Sequence, residues 1–559
     1  MNSFVFKNSR PWPNKRLDRA VIVGHTTSST AKIWVRTGLP GKYYLIVYPM
    51  SHDEITSARS NLKQIPFDIS SLPKWMKEEQ NIYKFEIKDF SDDTTHVQLI
   101  GHLQPFTTYG YALIGRDDNG NIRVLIGQDN LEDPLAFSFR TLAMDNNAAF
   151  SFGFFSCHMP YEQSFLGNIG ITNMDMWHSF LIGMQQNREK NGLAFLIGGG
   201  DQVYVDGIES LSIWRYLNKN MRKEGGQLLP NKDDMLSWYR DIYRGYWGFS
   251  QLQAVFSQFP TYMICDDHEL CDGWGSYFLK ENSEHDEMNE IFPDWKKRGF
   301  SWQDCNTLLV NMKECALKAY NEYQHSHNPD TDNDRYDYGF ITNGSAFYFL
   351  DERTNRDINR AENRILGKQQ LERFSTWLRD LNINQTPYVF VVSTVPLLHF
   401  DDDIVNIKSI LVDSANLEDD LRDEWEHELH RAERRQIVDL LFGAAARGLK
   451  ISILSGDIHM SAAFHMKRDD TTIYQLTSSA ITFHVPRLKR WALSASTIDE
   501  GRSPDDYYFK RLTMYTKPNF SLIKVHAAQN KAEFQLFSSQ ENLHQSKVIG
   551  YTTSIELSF

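Results

Sequence analysis

Cysteine is scarce in this chain, which has five in 559 residues. They are Cys157, Cys265, Cys271, Cys305 and Cys315. An odd and sparse set in a large chain is typical of free thiols and not of a disulfide framework. We therefore expect no structural disulfide.

The chain also lacks an excess of basic residues, since its formal net charge is -13 at pH 7. A protein that binds the phosphate backbone of a nucleic acid normally presents a basic face, so no nucleic-acid partner is expected. An anionic substrate fits this charge only if bound cations reverse the local field. The charge therefore favours metal ions in any site for an anion.

Long apolar runs are missing as well. No uninterrupted hydrophobic stretch reaches the length that spans a membrane, and the first residues lack the segments of a signal peptide; they read MNSFVFKNSRPWPNKR. We expect a cytoplasmic protein without a transmembrane segment, with signal-independent export as the alternative. Nothing in the sequence indicates the oligomeric state.

The first part of the chain has the alternation of β-strands. A chain of this length exceeds the size at which a single core keeps growing, so two domains are expected. Strand-like runs between residues 20 and about 143 predict a small antiparallel β-sandwich domain over residues 1–145. The polar segment 51–92 is interpreted as an insertion, and residues 145–147 as a linker.

From residue 148 to residue 559, strand-like runs alternate with helical patterns, which predicts a layered α/β domain. Apolar stripes predict one helix from Leu366 to Leu381 and another over about 420–446. Strand-like runs return after about residue 519, and we expect them to complete the sheet of this domain.

Six apolar runs of strand length end in residues that bind metals or phosphate. Ligands gather at the carboxyl ends of buried strands, where loops converge in one crevice. The glycines before Asp201 permit its carboxylate and the phenol of Tyr204 to reach one ion. Oxygen ligands with a thiolate suit iron, manganese or zinc. The residues at the six ends include Cys157, Asp201 with Tyr204, Asp267 with His268, Arg353 with Arg356, His399, and Asp457 with His459.

These motifs together resemble the PhoD-like alkaline phosphatases, a branch of the calcineurin-like metallophosphoesterases. The motifs, in chain order, are Ser156-Cys157, Gly200-Asp201-x-x-Tyr204, Asp266-Asp267-His268-Glu269, Asp351-x-Arg353-x-x-Arg356 and Ser455-Gly456-Asp457-Ile458-His459. The resemblance implies an immunoglobulin- or fibronectin-like sandwich followed by a four-layer αββα catalytic domain. It also implies hydrolysis of phosphate monoesters, diesters or both by a metal-bound hydroxide that attacks phosphorus in line.

The resemblance implies a role for each matching residue. The metal ligands would be Cys157, Asp201, Tyr204, Asp267, Asp457 and His459, with Asp201 bridging two ions. His268 would protonate or stabilise the leaving group, and Arg353 and Arg356 would hold the phosphate. Iron is expected at one site, as in characterised relatives, and calcium, manganese or zinc at the other. Cys271-Asp272 stands where many relatives have two Asn, which leaves the identity of the second ion open.

Several alternatives stay open at this stage. Asp266 either caps its turn, leaving Asp267 as the ligand, or binds metal itself. One of the two arginines is expected to pair with Asp351 or Asp357. Asp272 is either a ligand or a turn residue, and His399 is interpreted as structural.

The expected substrate is a small-molecule or lipid-derived phosphate ester. The alternative function is a non-hydrolytic metal-binding scaffold in which the sandwich domain binds a partner.

Overall fold

The structure is a computed structural model. It describes residues 10–50, 82–88, 95–116, 119–120, 122–126, 137–145, 148–332, 335–401, 405, 422–485, 494–540 and 548–559. Most of the predicted insertion at 51–92 and two residues of the predicted linker, 146 and 147, lie outside these ranges.

The described residues between Ala20 and Arg140 include the strands of two antiparallel sheets. One has the order β1-β2-β5, and the other has the order β4-β3-β6-β7 with β8 paired to β6. Val35 of the first sheet and Leu113 of the second lie in the same buried cluster, so the two sheets share a core. The strands are β1 Ala20–Thr26, β2 Ala31–Arg36, β3 Gly41–Pro49, β4 Ile82–Ile87, β5 Thr95–Ile100, β6 Thr108–Arg116, β7 Ile122–Ile126 and β8 Ser138–Arg140.

The remaining strands form two larger sheets and two hairpins. The strands from residue 150 to 263 are β9 Phe150–Phe155, β10 Tyr161–Gln163, β11 Ile169–Ile171, β12 Leu193–Gly198, β13 Arg222–Glu224, β14 Gln227–Leu229 and β15 Thr261–Met263. Those from 338 to 515 are β16 Tyr338–Thr342, β17 Ser345–Phe349, β18 Tyr388–Val392, β19 Lys450–Ser455, β20 Ser461–Arg468, β21 Thr471–Thr477, β22 Glu500–Ser503 and β23 Tyr507–Tyr515. The last three are β24 Asn519–His526, β25 Lys531–Gln540 and β26 Val548–Leu557.

The two large sheets are mixed. The six-stranded sheet has the order β15-β12-β9-β24-β25-β26, and the eight-stranded sheet has the order β16-β17-β18-β19-β21-β20-β23-β22. Strands β15, β12 and β9 are parallel to one another, as are β17, β18, β19 and β21. The C-terminal strand β24 pairs antiparallel with β9.

A layer of aromatic side chains lies between the two large sheets. The ring of Phe152 in β9 is 5.2 Å from that of Phe347 in β17 and 5.0 Å from that of Phe390 in β18, both edge to face. Side chains alternate along a strand, so Phe155 of β9 faces the opposite side and packs in a separate core with Trp177. Each sheet therefore buries both of its faces.

Helices cover the outer faces of the sheets. Phe180 of α1 packs over the six-stranded sheet, and Leu378 of α7 and Ile437 of α8 pack over the eight-stranded one. The predicted mixed α/β class is confirmed. The helices are α1 Asp175–Lys190, α2 Ile213–Asn220, α3 Lys232–Tyr246, α4 Ser250–Phe256, α5 Met288–Ile291, α6 Trp302–Tyr323, α7 Gly367–Asp380 and α8 Arg431–Ala446.

The helix predicted over about 420–446 begins at Arg431 instead. Residues 424–430 form turns. The difference has a physical reason, because Asp423, just before these turns, is buried against the guanidinium groups of Arg353 and Arg356. Arg422 and Asp423 are themselves helical, so the predicted helix is interrupted by the turns at 424–430 that follow the ion-paired Asp423.

The N-terminal sheets are fastened to the α/β part by buried polar contacts. Trp34 Nε1 of β2 donates a hydrogen bond to the carbonyl of Glu322, at 2.7 Å. Lys32 Nζ donates to the carbonyl of Asn328, at 2.6 Å. Within the described ranges, no helix is long and apolar enough to cross a membrane.

Candidate active site

The candidate site lies where parallel strands of both large sheets end. Cys157 follows β9, Asp201 follows β12, and Asp267 follows β15 of the six-stranded sheet. Arg353 follows β17 and Asp457 follows β19 of the eight-stranded sheet. Because parallel strands end at the same edge of a sheet, the loops of the two sheets meet at one crevice.

Four of the predicted ligands have a left-handed backbone. The φ angles of Cys157, Asp201, Asp457 and His459 are 58°, 57°, 59° and 56°. Such a conformation costs a non-glycine residue roughly 1–3 kcal/mol and persists where the surrounding structure enforces it. At these four candidate ligands the strand-end loops therefore hold a defined and restricted backbone conformation.

Glycines allow the strand-end loops to approach one another. A Cβ atom on Gly456 would lie 2.6 Å from the carbonyl oxygen of Gly199 and 2.7 Å from Ser156 Cβ. Gly200 has a φ of 100°, and a Cβ there would lie 2.7 Å from Asp266 Cβ. The close approach brings together ligands from strands that are distant in sequence.

Three groups of side chains have ligand atoms within 4.8 Å of one another. They are Cys157 with Asp201 and His459; Asp201 with Asp267 and His268; and Asp201 with Asp266, Asp267 and Asp457. Asp201 belongs to all three groups, which is the arrangement that a carboxylate bridging two ions requires. The structure thus brings together the predicted ligands Cys157, Asp201, Asp267, Asp457 and His459.

Tyr204, the sixth predicted ligand, joins the same cluster through hydrogen bonds. Its hydroxyl donates to Asp201 Oδ2 at 2.9 Å and lies 3.0 Å from His459 Nε2. The ring of Phe483 stacks on His459 with the centroids 3.6 Å apart. These contacts orient the phenol and the imidazole towards the shared carboxylate.

Burial disfavours the ionised forms of the carboxyl and thiol side chains in this cluster unless cations are present. Burial, together with the carboxylates of Asp266 and Asp267, raises the pKa of Asp201 well above its ordinary value. Burial and the Asp201 carboxylate likewise raise the pKa of the Cys157 thiol, and burial raises the pKa of Asp457. A thiolate and several carboxylates in one buried place therefore need metal ions to stay ionised.

Several buried oxygens of the cluster have no hydrogen-bond donor within the part of the chain that the structure describes. They are Asp201 Oδ1, Asp266 Oδ2 and Asp267 Oδ1. A buried acceptor without a donor is costly, and a cation satisfies it. The residues present therefore fit metal ions, and the mixture of thiol, phenol, imidazole and carboxylate suits a transition metal at one position.

Arg353 and Arg356 lie beside the cluster, but their ionic partners differ from those expected. Arg353 pairs with Asp266 and Asp423, and its Nη2 lies 3.6 Å from Asp267 Oδ1. Arg356 Nη2 lies 3.1 Å from Asp423 Oδ1. The prediction of pairing with Asp351 or Asp357 is therefore wrong for the side chains, because Asp423 approaches from a distant loop.

Asp423 holds both arginines in place, and they in turn stabilise its charge. Burial raises the pKa of Asp423, but the charges of Arg353 and Arg356 outweigh this effect and lower it to about 2. Arg353 Nη2 and Arg356 Nη1 have no hydrogen-bond acceptor among the described residues. Arg353 Nη2 lies at ion-pair distance from Asp267 Oδ1 and Asp457 Oδ1, at 3.6 and 3.7 Å, and both donors keep hydrogen-bonding capacity for an anion.

His268 is oriented by a carboxylate that the sequence analysis missed. Its Nδ1 donates to Asp206 Oδ1 at 2.6 Å, and the amide of Asp272 donates to the other oxygen of Asp206. Burial lowers the pKa of His268, but Asp206, Asp267 and Asp201 outweigh burial and raise it well above the ordinary value. The neighbouring carboxylates thus favour the protonated form of this imidazole, and its Nδ1–H is directed at Asp206.

The carboxylates of Asp266 and Glu269 mainly accept hydrogen bonds from residues of the strand-end loops. Asp266 Oδ1 accepts from Thr394 Oγ1 at 3.0 Å as well as from Arg353. Glu269 accepts backbone N–H groups of Asp201, Gln202 and Asp266, at 3.2, 2.6 and 2.9 Å. Asp266 thus has one oxygen engaged by protein donors and the other facing the carboxylate cluster.

His399 lies outside the three ligand groups. Its Nε2 is 3.1 Å from both Met460 Sδ and Thr497 Oγ1. Burial lowers its pKa to about 3, so the ring is neutral. The contacts support the structural interpretation of this residue.

A cleft of about 980 Å³ is lined in part by Asp206, the hydrogen-bond partner of His268. Asp272, whose amide donates to Asp206, lines the same cleft. The lining also includes Trp214, Tyr277 and Arg422. The rings of Trp214 and Tyr277 are perpendicular, with centroids 6.4 Å apart. The cleft is large enough for an organic group, and Asp206 links its wall to His268.

Comparison with solved structures shows what the fold is similar to. A structure of PhoD matches with a TM-score of 0.60 and 14% sequence identity, covering 98% of this chain and 91% of that chain. The purple acid phosphatase PPD1 from seeds of yellow lupin (Lupinus luteus) matches with a TM-score of 0.51 and 10% identity, covering 94% and 73%. No curated protein matches this sequence.

The family model for PhoD-like phosphatase matches residues 169–534. This span includes the strand ends that carry Asp201, Asp267, Arg353 and Asp457, and favours an enzyme over the scaffold alternative. Since the match covers well over half of the sequence, the chain belongs to the PhoD-like phosphatase family.

Proposed function

We propose that this phosphatase hydrolyses phosphate monoesters, diesters or both by in-line attack of water at phosphorus. The observation that carries the proposal is the position of Asp201, which is shared by three groups of candidate ligands and has a buried oxygen without a donor in the described part of the chain.

The proposed metal sites divide the ligands into two sets that share Asp201. Iron would be held by Cys157, Asp201, Tyr204, Asp457 and His459. A second ion, calcium, manganese or zinc, would be held by Asp201 and Asp267 with carboxylates nearby. Such ions, when bound, acidify water for attack and neutralise the charge on the phosphoryl group.

The remaining roles belong to side chains that face the crevice. Arg353 Nη2 and Arg356 Nη1 are buried donors suited to the non-bridging oxygens of the ester. His268 is hydrogen-bonded to Asp206, which lines the cleft, and it would carry the proton for the leaving group. It would give this proton to the departing oxygen, while Asp206 keeps the ring in position.

The cleft beside His268 supports a substrate with an organic leaving group rather than a small inorganic one. Trp214 and Tyr277 would contact the apolar part of that group. A small-molecule or lipid-derived phosphate ester meets this description.

The domain organisation is part of the proposal. Residues 1–145 would form an immunoglobulin- or fibronectin-like sandwich, and residues 148–559 a four-layer catalytic domain. The shared core of the two N-terminal sheets and the aromatic layer between the two large sheets support this division.

The proposal is tested by elemental analysis of the purified protein together with hydrolysis of p-nitrophenyl phosphate and its bis ester. We expect at least two ions per chain, iron among them, and turnover that a chelator removes and added metal restores. Bound metal without turnover of either ester would support the scaffold alternative instead.

A further inference from the structure

Two large apolar side chains stand in solvent at the tip of one hairpin. The side chains of Phe165 and Leu166 are 104% and 84% exposed. They lie in the turn between β10 and β11, where Gly167 N donates to Ser164 O and Ser164 N to Asn168 O, both at 2.8 Å. The turn therefore has a defined shape that points these side chains away from the protein.

The base of this hairpin is anchored. Gln163 Nε2 donates to Ser210 Oγ at 2.8 Å, and Thr172 N donates to Pro160 O at 2.9 Å. Ile169 packs against the buried core. The exposed tip is thus carried by a firmly attached support and is not a fraying end.

The hairpin lies at the rim of the proposed active site. It begins four residues after Cys157, and its partner Ser210 lies between Glu209 and Ser212, which line the cleft beside His268. The base of the hairpin is therefore joined directly to the chain segment that lines that cleft.

We propose that Phe165 and Leu166 insert into the surface of a zwitterionic lipid bilayer or micelle. A stable protein interface needs about 800 Å² on each partner, which two side chains at a protruding tip do not supply. Insertion among acyl chains requires no such area, because each buried apolar group contributes separately. The net charge of -13 disfavours an anionic surface.

Insertion of two side chains gives weak and reversible binding that holds the cleft beside phosphate esters in the lipid surface. The suggested use of those esters rests on the proposed function. Binding itself requires no turnover, so the two ideas can fail separately.

The experiment measures partitioning of the metal-loaded protein onto phosphatidylcholine vesicles by cosedimentation. The variant Phe165→Ser/Leu166→Ser should bind at least about tenfold less than the wild type. The matched control is Leu99→Ser/Val310→Ser, which removes two other exposed apolar side chains (55% and 46% exposed) and should bind as the wild type does. All three proteins should hydrolyse p-nitrophenyl phosphate equally without vesicles.

Absence of wild-type binding, or equal binding by the tip variant, would overturn the lipid proposal. So would a wild-type dimer that the tip substitutions convert to monomer in analytical ultracentrifugation, since the tip would then bind a second copy of the chain. Stronger binding to phosphatidylserine vesicles than to phosphatidylcholine would contradict the preference for an uncharged surface. Vesicle binding by a protein that hydrolyses no ester would count against the catalytic proposal alone.

Discussion

Asp201 belongs to all three groups of candidate ligands. Its substitution therefore tests whether the crevice is a metal site or only a cluster of acidic side chains. We expect Asp201→Asn to lose bound metal and to lower kcat/KM by about a thousandfold or more, because the shared carboxylate is removed from both ions. Elemental analysis and p-nitrophenyl phosphate hydrolysis measure the two effects. Asp380→Asn, at a side chain that is 68% exposed on α7, is the control. Full metal content in Asp201→Asn would contradict the shared-ligand assignment.

The pair of His268 and Asp206 predicts a dependence on the leaving group. His268→Ala should retain the metals and lower kcat by about 10²–10⁴-fold for alkyl phosphates, whose leaving oxygen needs a proton. The loss should be smaller for p-nitrophenyl phosphate, because nitrophenolate departs without one. Asp206→Asn should show the same pattern with a loss of about 10–100-fold.

Equal losses for both esters would contradict the role of His268 as proton donor. Loss of metal in His268→Ala would instead identify His268 as a metal ligand. Its ring lies close enough to Asp201 and Asp267 to share an ion with them.

His399 permits a prediction about stability and pH. Burial lowers its pKa from 6.5 to about 3 in the folded protein, so the unfolded chain binds the proton more readily. This group therefore stabilises the fold above pH 6.5, and its contribution falls as the pH drops towards 3, by about 3 kcal/mol at pH 4. Urea unfolding of His399→Gln should show a smaller loss of stability between pH 7 and pH 4 than the wild type, with unchanged metal content. An identical pH dependence would show that the ring is protonated in the fold.

Some residues of the site could be predicted from sequence and others could not. The ligands follow strand-like runs and carry metal-binding chemistry, so pattern and resemblance both indicate them. Asp206 gave no such signal, because its hydrogen bond joins it to His268, which is 62 residues away. Asp423 lies in an acidic stretch of the sequence that gives no sign of its partners. Its ion pairs with Arg353 and Arg356 form only when the chain folds.

At the scale of elements, the site depends on how closely the strand-end loops approach. Gly456→Ala should lower stability by about 1–3 kcal/mol and weaken metal binding, because its Cβ would press on the backbone of Gly199 and on Ser156. Gly443→Ala in α8 is the control: no atom lies within 4 Å of its Cβ, and the change should stabilise the helix by about 1 kcal/mol. Thermal unfolding and metal content measure both variants. Normal metal content in Gly456→Ala would show that the loops have room to separate.

Element ends were harder to predict than element types. Helix α7, Gly367–Asp380, agrees closely with its apolar stripe, since local periodicity decides its position. Helix α8 starts about eleven residues later than expected because turns at 424–430 separate it from the helical residues Arg422 and Asp423, and Asp423 pairs with buried arginines. Charge pairing across the fold overrides local helix preference there, and periodicity carries no information about it.

At the scale of the whole molecule, the mixed α/β class was predictable because alternation of strand and helix is a property of the sequence. The stacking of the two large sheets could be predicted only from the resemblance to a known family, and not from the sequence pattern itself. The aromatic contacts that join them, such as Phe152 with Phe390, connect residues more than 200 positions apart. Their hydrophobicity predicts that these residues are buried, but it does not identify the residues they pack against.

The coupling between metal and fold predicts how chelation depends on pH. Without metal, burial raises the pKa of Asp201 and Asp457, so the folded protein takes up protons more readily than the unfolded chain. Stability from these groups is present at low pH and is lost as the pH rises through their folded pKa values. With metal, the same carboxylates must be ionised, and binding favours higher pH. The fall in Tm on adding chelator should therefore be larger at pH 8 than at pH 5.

The size of that effect follows from mass action, since free metal at about a thousand times Kd stabilises the fold by about 4 kcal/mol. Differential scanning calorimetry of the wild type, with and without chelator, gives the two shifts. Asp201→Asn should show almost no chelator effect at either pH, because it holds no metal to remove. A chelator effect that is equal at pH 5 and pH 8 would mean that the ions are not held by these buried carboxylates.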